Sequence, residues 1–225
     1  MSRPTPHSEQ FFFNLPPSFI ELPISEDQLK DNQDDLISSV TDVLDLDAQD
    51  DDAAVEAAFG LAALGSILSD QGAGYAAAGF YRSPEDNDRP ITILVTSVGI
   101  PSDYEDSQGA VQAILAVKQN EEHSSVIQFT VPAGHAVAVV DEEPHEIQLQ
   151  NDVVTILQRQ VTAWIPNPTG AEIALITVST NSWKDWSYVC ELALDIFCSI
   201  SWTDSEYQSA GAHNTLSHGL VERNG

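Results

Sequence analysis

The sequence predicts an α+β fold, a mainly antiparallel sheet covered by helices. Two helical periodicities come first, over roughly 26–44 and 53–69. A run of strand-like segments follows from residue 75, joined mostly by short turns. A strongly amphipathic stretch over 181–202 closes the run. Strands gathered together with helices at their flanks differ from the strict alternation of a parallel α/β sheet.

Residues 1–10 are polar and contain prolines, and they read as a disordered N-terminus. FFFNLPPSFIELP (11–23) is held extended by its prolines, which fix φ and remove a donor. Phe11, Phe12 and Phe13 lie outside any periodic element. They are expected to cover one edge of the core; the alternative is an exposed docking motif. Ser25, with Gln28 three residues later, forms a capping box that opens the first helix. The apolar stripe of that helix is Leu29, Leu36, Ile37, Val40, Val43 and Leu44. The second helix carries Val55, Phe59, Ala62, Leu64, Ile67 and Leu68, and GAG at 72–74 stops it.

YAAAGFYR (75–82) and ITILVTSVG (91–99) read as a hairpin around the breakers SPEDNDRP. SQGAVQAILAVKQN (107–120) is a helix with Val111, Ile114 and Leu115 facing inward. VIQFTV (126–131) and AVAVV (136–140) are strands around PAGH. DVVTILQRQVTAWIP (152–166) is a long strand that NPTG turns into EIALITVST (172–180). In the last helix, 181–202, Ser182 is the expected N-cap, with Asp185 at the third position. Trp183, Trp186, Cys190, Ala193 and Phe197 form its expected apolar face, laid on the preceding sheet. Residues 204–225 show no periodicity and read as a disordered tail, which leaves one domain over 11–203 with no internal repeat.

This order of elements resembles a PsbP-like α–β–α sandwich. The ending, from Trp183 or Trp186 through Ser199, Ile200, Ser201 and Trp202, is similar to that of acidic actinobacterial proteins with this architecture. The resemblance covers roughly 15–203. It implies a sheet between helices and, by analogy with the non-enzymatic binding and assembly proteins of that fold, a binding role. It carries over no site residue.

Charge narrows the partners. The chain of 225 residues has 35 acidic and 8 basic residues, a formal net charge of −27. Such a surface repels phosphate backbones, so neither nucleic acid nor an anionic membrane is expected as a partner. A more basic protein is the natural complement. The other reading of the charge is solubility alone. No signal peptide is visible, and no stretch reads as a membrane span. Cys190 and Cys198 are eight apart in a helix, a rise of about 12 Å, too far for a mutual disulfide. A reducing cytoplasm fits these features.

The most suggestive motif is DLDAQDDDAAVE (45–56), between two helices. Numbered as a calcium-binding loop, it offers oxygens from Asp45, Asp47, Gln49 and Glu56 at positions 1, 3, 5 and 12. Asp50 stands where the turn needs glycine, and Asp52 where such loops pack an apolar residue. An acidic bend, with Asp51 or Asp52 capping the second helix, is the favoured reading. EEH (121–123) and DEEPHE (141–146) set His123 and His145 beside carboxylates, but without metal-ligand spacing, and read as solvated turns. His135 is a turn residue at a strand end. No phosphate-binding, dinucleotide-binding or nucleophile-elbow signature is present.

The residues therefore point to a non-enzymatic cytoplasmic interaction protein of the adaptor, chaperone-like or inhibitor-like (immunity-like) kind, with no cofactor. Its expected contact is the acidic helical face, chiefly Asp34, Asp35, Asp42, Asp50, Asp51 and Asp52. The alternatives are a calcium-responsive protein using residues 45–56, or a small hydrolase in which His135 or His145 meets a carboxylate in a deep pocket.

Overall fold

A computed structural model of the chain describes residues 11–46, 51–121, 125–149 and 152–202. The segments read as disordered, 1–10 and 204–225, lie outside the described residues. The fold is α+β. Seven strands form one antiparallel sheet in the order β1-β2-β3-β7-β6-β5-β4. They are β1 (Phe19–Glu21), β2 (Tyr75–Arg82), β3 (Pro90–Pro101), β4 (Ser125–Val131), β5 (Gly134–Leu149), β6 (Asp152–Pro166) and β7 (Glu172–Thr180). The helices are α1 (Glu26–Leu44), α2 (Asp51–Asp70), α3 (Ser107–Lys118) and α4 (Trp186–Cys198).

Alternation along the strands divides the sheet into two faces. One face carries Ile91, Ile93, Val95, Ala163, Ile165, Ile176 and Val178, all buried. α4 covers it with Val189, Leu192, Ala193, Ile196 and Phe197. The N-terminal segment completes this cover. Phe11 is 1% exposed and meets Trp202 edge to face at 5.7 Å, while Phe12 and Ser201 bridge through reciprocal backbone hydrogen bonds. The phenylalanines thus serve the core.

The opposite face is covered at its two ends. At the β1–β2 end lies α2, with α1 packed against it through Leu36 and Val40. At the β5–β6 end lies α3, whose Lys118 ammonium sits 5.0 Å from the Trp164 ring centre. Ser25 caps α1 as expected. It accepts from the Gln28 N–H at 3.2 Å, and the Gln28 side chain accepts in return from the Ile24 N–H at 2.9 Å. α2 ends at Gly72, at φ +96°, with the Ala73 N–H bonded to Leu68 O and the Gly72 N–H to Ser69 O. That pairing is a Schellman ending, which a glycine satisfies without strain.

Four expectations need correction. First, two of the large residues expected on the buried face of α2 are exposed. Ala54, Ala58 and Ala62 face inward, while Phe59 and Ile67 are 57% and 54% exposed. The reason is close approach: Gly65 lies against the Pro23 carbonyl and the Leu22 side chain, where a Cβ would collide. Small residues let the helix sit close to the chain at Leu22 and Pro23; Leu61, Leu64 and Leu68 pack partly buried beside them, and Phe59 and Ile67 turn outward.

Second, the stretch 52–70 does pass for a membrane span by length and composition. Within its 19 residues, 22% of the most apolar 18-residue window is buried. Third, DEEPHE is strand. β5 runs on to Leu149, paired with β6 from Val137↔Trp164 to Leu149↔Asp152. β4 stops pairing at Val140, so Pro144 belongs to a two-stranded arm, where one missing N–H is tolerated.

Fourth, the last helix begins later and is rotated. Trp183–Asp185 form a 3-10 turn, Ser182 makes no side-chain cap, and α4 ends at Cys198. Trp183 is exposed, and Trp186 and Cys190 are half-buried. The cause is a stronger use of the same residues. Asp185 is buried in an ion pair with Arg89, and Trp183 and Trp186 flank the Arg159 guanidinium at 4.6 and 5.1 Å.

Candidate functional site

Two surfaces stand out, one expected and one not. The expected surface is the outer side of α1. The periodicity that buries Leu36 and Val40 turns Asp31, Asp34, Asp35 and Asp42 to solvent. Lys30 is the one basic residue of α1, and it pairs with Glu26 at 3.5 Å. Asp45 ends the helix at φ 51°, with its own N–H and that of Leu46 bonded to Thr41 O. Asp52 and Glu56, on the first turns of α2, are also exposed.

This arrangement works against the helix that carries it. Asp27, Asp31 and Asp35 repeat at i, i+4, where like charges repel across one helical turn. Asp42 and Asp45 crowd the C-terminal end, the negative pole of the helix dipole, and the last turn holds no basic residue.

Of the calcium-loop positions, the structure describes Asp45 and Glu56; Asp47, Gln49 and Asp50 lie outside the described residues. Asp51 is the first residue of α2. Among the described residues, no group of three or more His, Cys, Asp or Glu is placed to hold a metal ion. His123 lies outside the described residues, and His145 falls on β5 opposite Ile156. His135 is exposed, with its Nδ1 3.3 Å from Thr130 Oγ1. Cys190 and Cys198 are free, half-buried thiols. Burial pushes both up in pKa, partly offset at Cys190 by the Arg159 charge and reinforced at Cys198 by Asp195.

The unexpected surface is a groove of about 590 Å³ on the α2 face of the sheet, left open between its covered ends. Its floor is the alternate positions of three interior strands. β3 supplies Thr92, Leu94 and Thr96; β7 supplies Leu175, Thr177 and Ser179; β6 supplies Gln158 and Gln160. α2 supplies a wall of Leu64, Ile67 and Leu68. Among the described residues, the lining holds no acidic, basic or histidine side chain, although charged residues make up 19% of the chain. Within the floor, the Gln158 amide donates to Ser179 Oγ at 2.6 Å. Beside it, the Thr162 and Thr177 hydroxyls pair at 3.0 Å. Among the described residues, the Thr96 hydroxyl and the Gln160 amide have no side-chain partner. Part of the signal for this floor was present in the sequence, in Thr92, Thr96, Thr177 and Ser179, which alternate with the buried Ile91, Ile93, Val95, Ile176 and Val178.

No protein-family model and no curated protein matches the chain. A solved structure from Bacteroides thetaiotaomicron VPI-5482 is similar at 8% identity and a TM-score of 0.35. The match covers 87% of this chain and 46% of that one, so this chain spans under half its length.

Proposed function

We propose that this chain is a non-enzymatic binding protein that docks a more basic protein on the outer side of α1. It would act as an adaptor, chaperone-like or inhibitor-like partner. The observation that carries this reading is the uncompensated acid on α1. Asp31, Asp34, Asp35 and Asp42 are exposed, and the helix's one lysine is spent on Glu26. Charge retained where it weakens its own helix is accounted for if a partner relieves the repulsion on binding. Charge kept for solubility alone has no reason to concentrate at the negative end of a helix. The same reading has the chain act in the cytoplasm, away from nucleic acid and anionic membranes.

The test is affinity capture from a lysate of the source cells on the immobilised chain, at low and high salt. A basic protein retained at low salt, released at high salt and absent from the Asp34→Asn/Asp35→Asn/Asp42→Asn variant supports the reading. Equal capture by the variant contradicts it.

A further inference from the structure

We infer that the groove over β3, β7 and β6 binds an uncharged amphiphile: a molecule with an aliphatic segment and one or more hydroxyl or amide groups. The aliphatic part would lie against Leu64, Ile67 and Leu68, and the polar groups would meet Thr96 and Gln160.

Four observations carry this. The first is charge. Among the described residues, the lining is free of ionisable groups, in a chain of net charge −27. An anionic ligand would be repelled by the surrounding field. A cation would lose its water with no carboxylate among the described lining residues to receive it. The second is polar chemistry. The floor offers hydroxyls and carboxamides, each both donor and acceptor, and Thr96 and Gln160 have no partner among the described residues. The third is the wall. Ile67 is 54% exposed beside Leu64 and Leu68, so a purely hydrophilic guest would leave its apolar surface wet. Among the described residues, no aromatic ring lines the groove, which leaves a sugar ring without a stacking platform there. The fourth is size, since about 590 Å³ falls within the range of small-molecule sites.

A peptide is disfavoured because β3 and β7, and β6 from Arg159 onward, pair on both sides across the floor, leaving no strand edge there for its backbone. A second copy is disfavoured by the mutual repulsion of two strongly acidic chains.

The probe is Nile red, an uncharged solvatochromic dye, followed by fluorescence. Displacement is measured with monolaurin, laurate and dodecylammonium, which share one alkyl chain and differ in head-group charge, each below its micelle concentration. Monolaurin is expected to displace the dye, with both charged competitors at least about tenfold weaker. Thr96→Val, which keeps the shape and removes the hydroxyl, should weaken monolaurin by about fivefold. Ile67→Asp should abolish binding, whereas Leu194→Asp, at an exposed apolar residue of α4 on the other side of the sheet, should not change it. If Ile67→Asp does not fold, Gln160→Glu carries the same expectation. Equal displacement by all three competitors overturns the inference, as does no dye binding or full binding by a folded Ile67→Asp chain. A dimer whose dye binding falls as protein concentration rises would assign the groove to a second copy and overturn it as well. So would binding only in the presence of neutral phosphatidylcholine vesicles.

Discussion

Asp185 decides how the chain enters its last helix. Its carboxylate accepts from Ser83 Oγ at 2.5 Å and from Arg89 Nη2 at 3.0 Å, while 3% of the residue is exposed. Burial alone would raise its pKa, but the Ser83 and Arg89 hydrogen bonds, with the charges of Arg89 and Lys184, outweigh burial and hold it below the ordinary carboxylate range. A carboxylate depressed in the folded state contributes stability fully above its unfolded pKa, about 4, and loses it as pH falls through the folded value. Asp185→Asn should therefore melt lower than wild type at neutral pH, and thermal melts should converge only under strongly acidic conditions. The two thiols give a second residue-scale expectation. Their raised pKa leaves little thiolate at neutral pH, so an aromatic disulfide reagent should react with the folded chain more slowly than with free cysteine. Little of this was legible in the sequence. Asp185 sits where a helix-capping acid belongs, and its partner Arg89 is 96 positions away. Spacing along a chain carries no information about such a pairing.

At the scale of elements, boundaries were legible wherever a local rule acts alone. The Ser25–Gln28 box, the glycine that ends α2 and the Asn167–Gly170 turn all hold, the last with the Gly170 N–H bonded to Asn167 O at 2.8 Å. Faces were less legible where close approach competes with hydrophobicity. Periodicity places Phe59 and Ile67 in the core with Leu64 and Leu68, but the two leucines pack toward Ala76 and Ala78 of the sheet while Phe59 and Ile67 face solvent, and Gly65 closes on Pro23. Two predictions separate these contributions. Gly65→Ala should destabilise the chain by about 1–3 kcal/mol in denaturant unfolding, because the Pro23 carbonyl leaves no room for a methyl group. Phe59→Ala, at a 57% exposed site, should cost far less. At the N-terminal segment, Phe11→Ala should cost about 3–5 kcal/mol, since a fully buried ring against Trp202 is lost.

At the scale of the whole molecule, the described residues close one face of the sheet and leave the other partly open. The alternation that closes the first face, Ile91, Ile93 and Val95, is the alternation that leaves Thr92, Leu94 and Thr96 for the groove. The α+β class was legible because runs of strands between helices admit few arrangements. The groove was not, because its floor is assembled from three strands and appears only once β7 lies between β3 and β6. The acid on α1 belongs to this scale too, since its cost is borne by the helix and its benefit falls on an association. Neutralising Asp34, Asp35 and Asp42 to asparagine should therefore raise the melting temperature while it weakens partner capture. The most direct test of the central claim is hydrogen–deuterium exchange on the chain alone and with its captured partner. The account predicts added protection concentrated in residues 26–44 and lost at high salt. Protection confined to α4 or the β5–β6 arm, with α1 unchanged, would contradict it.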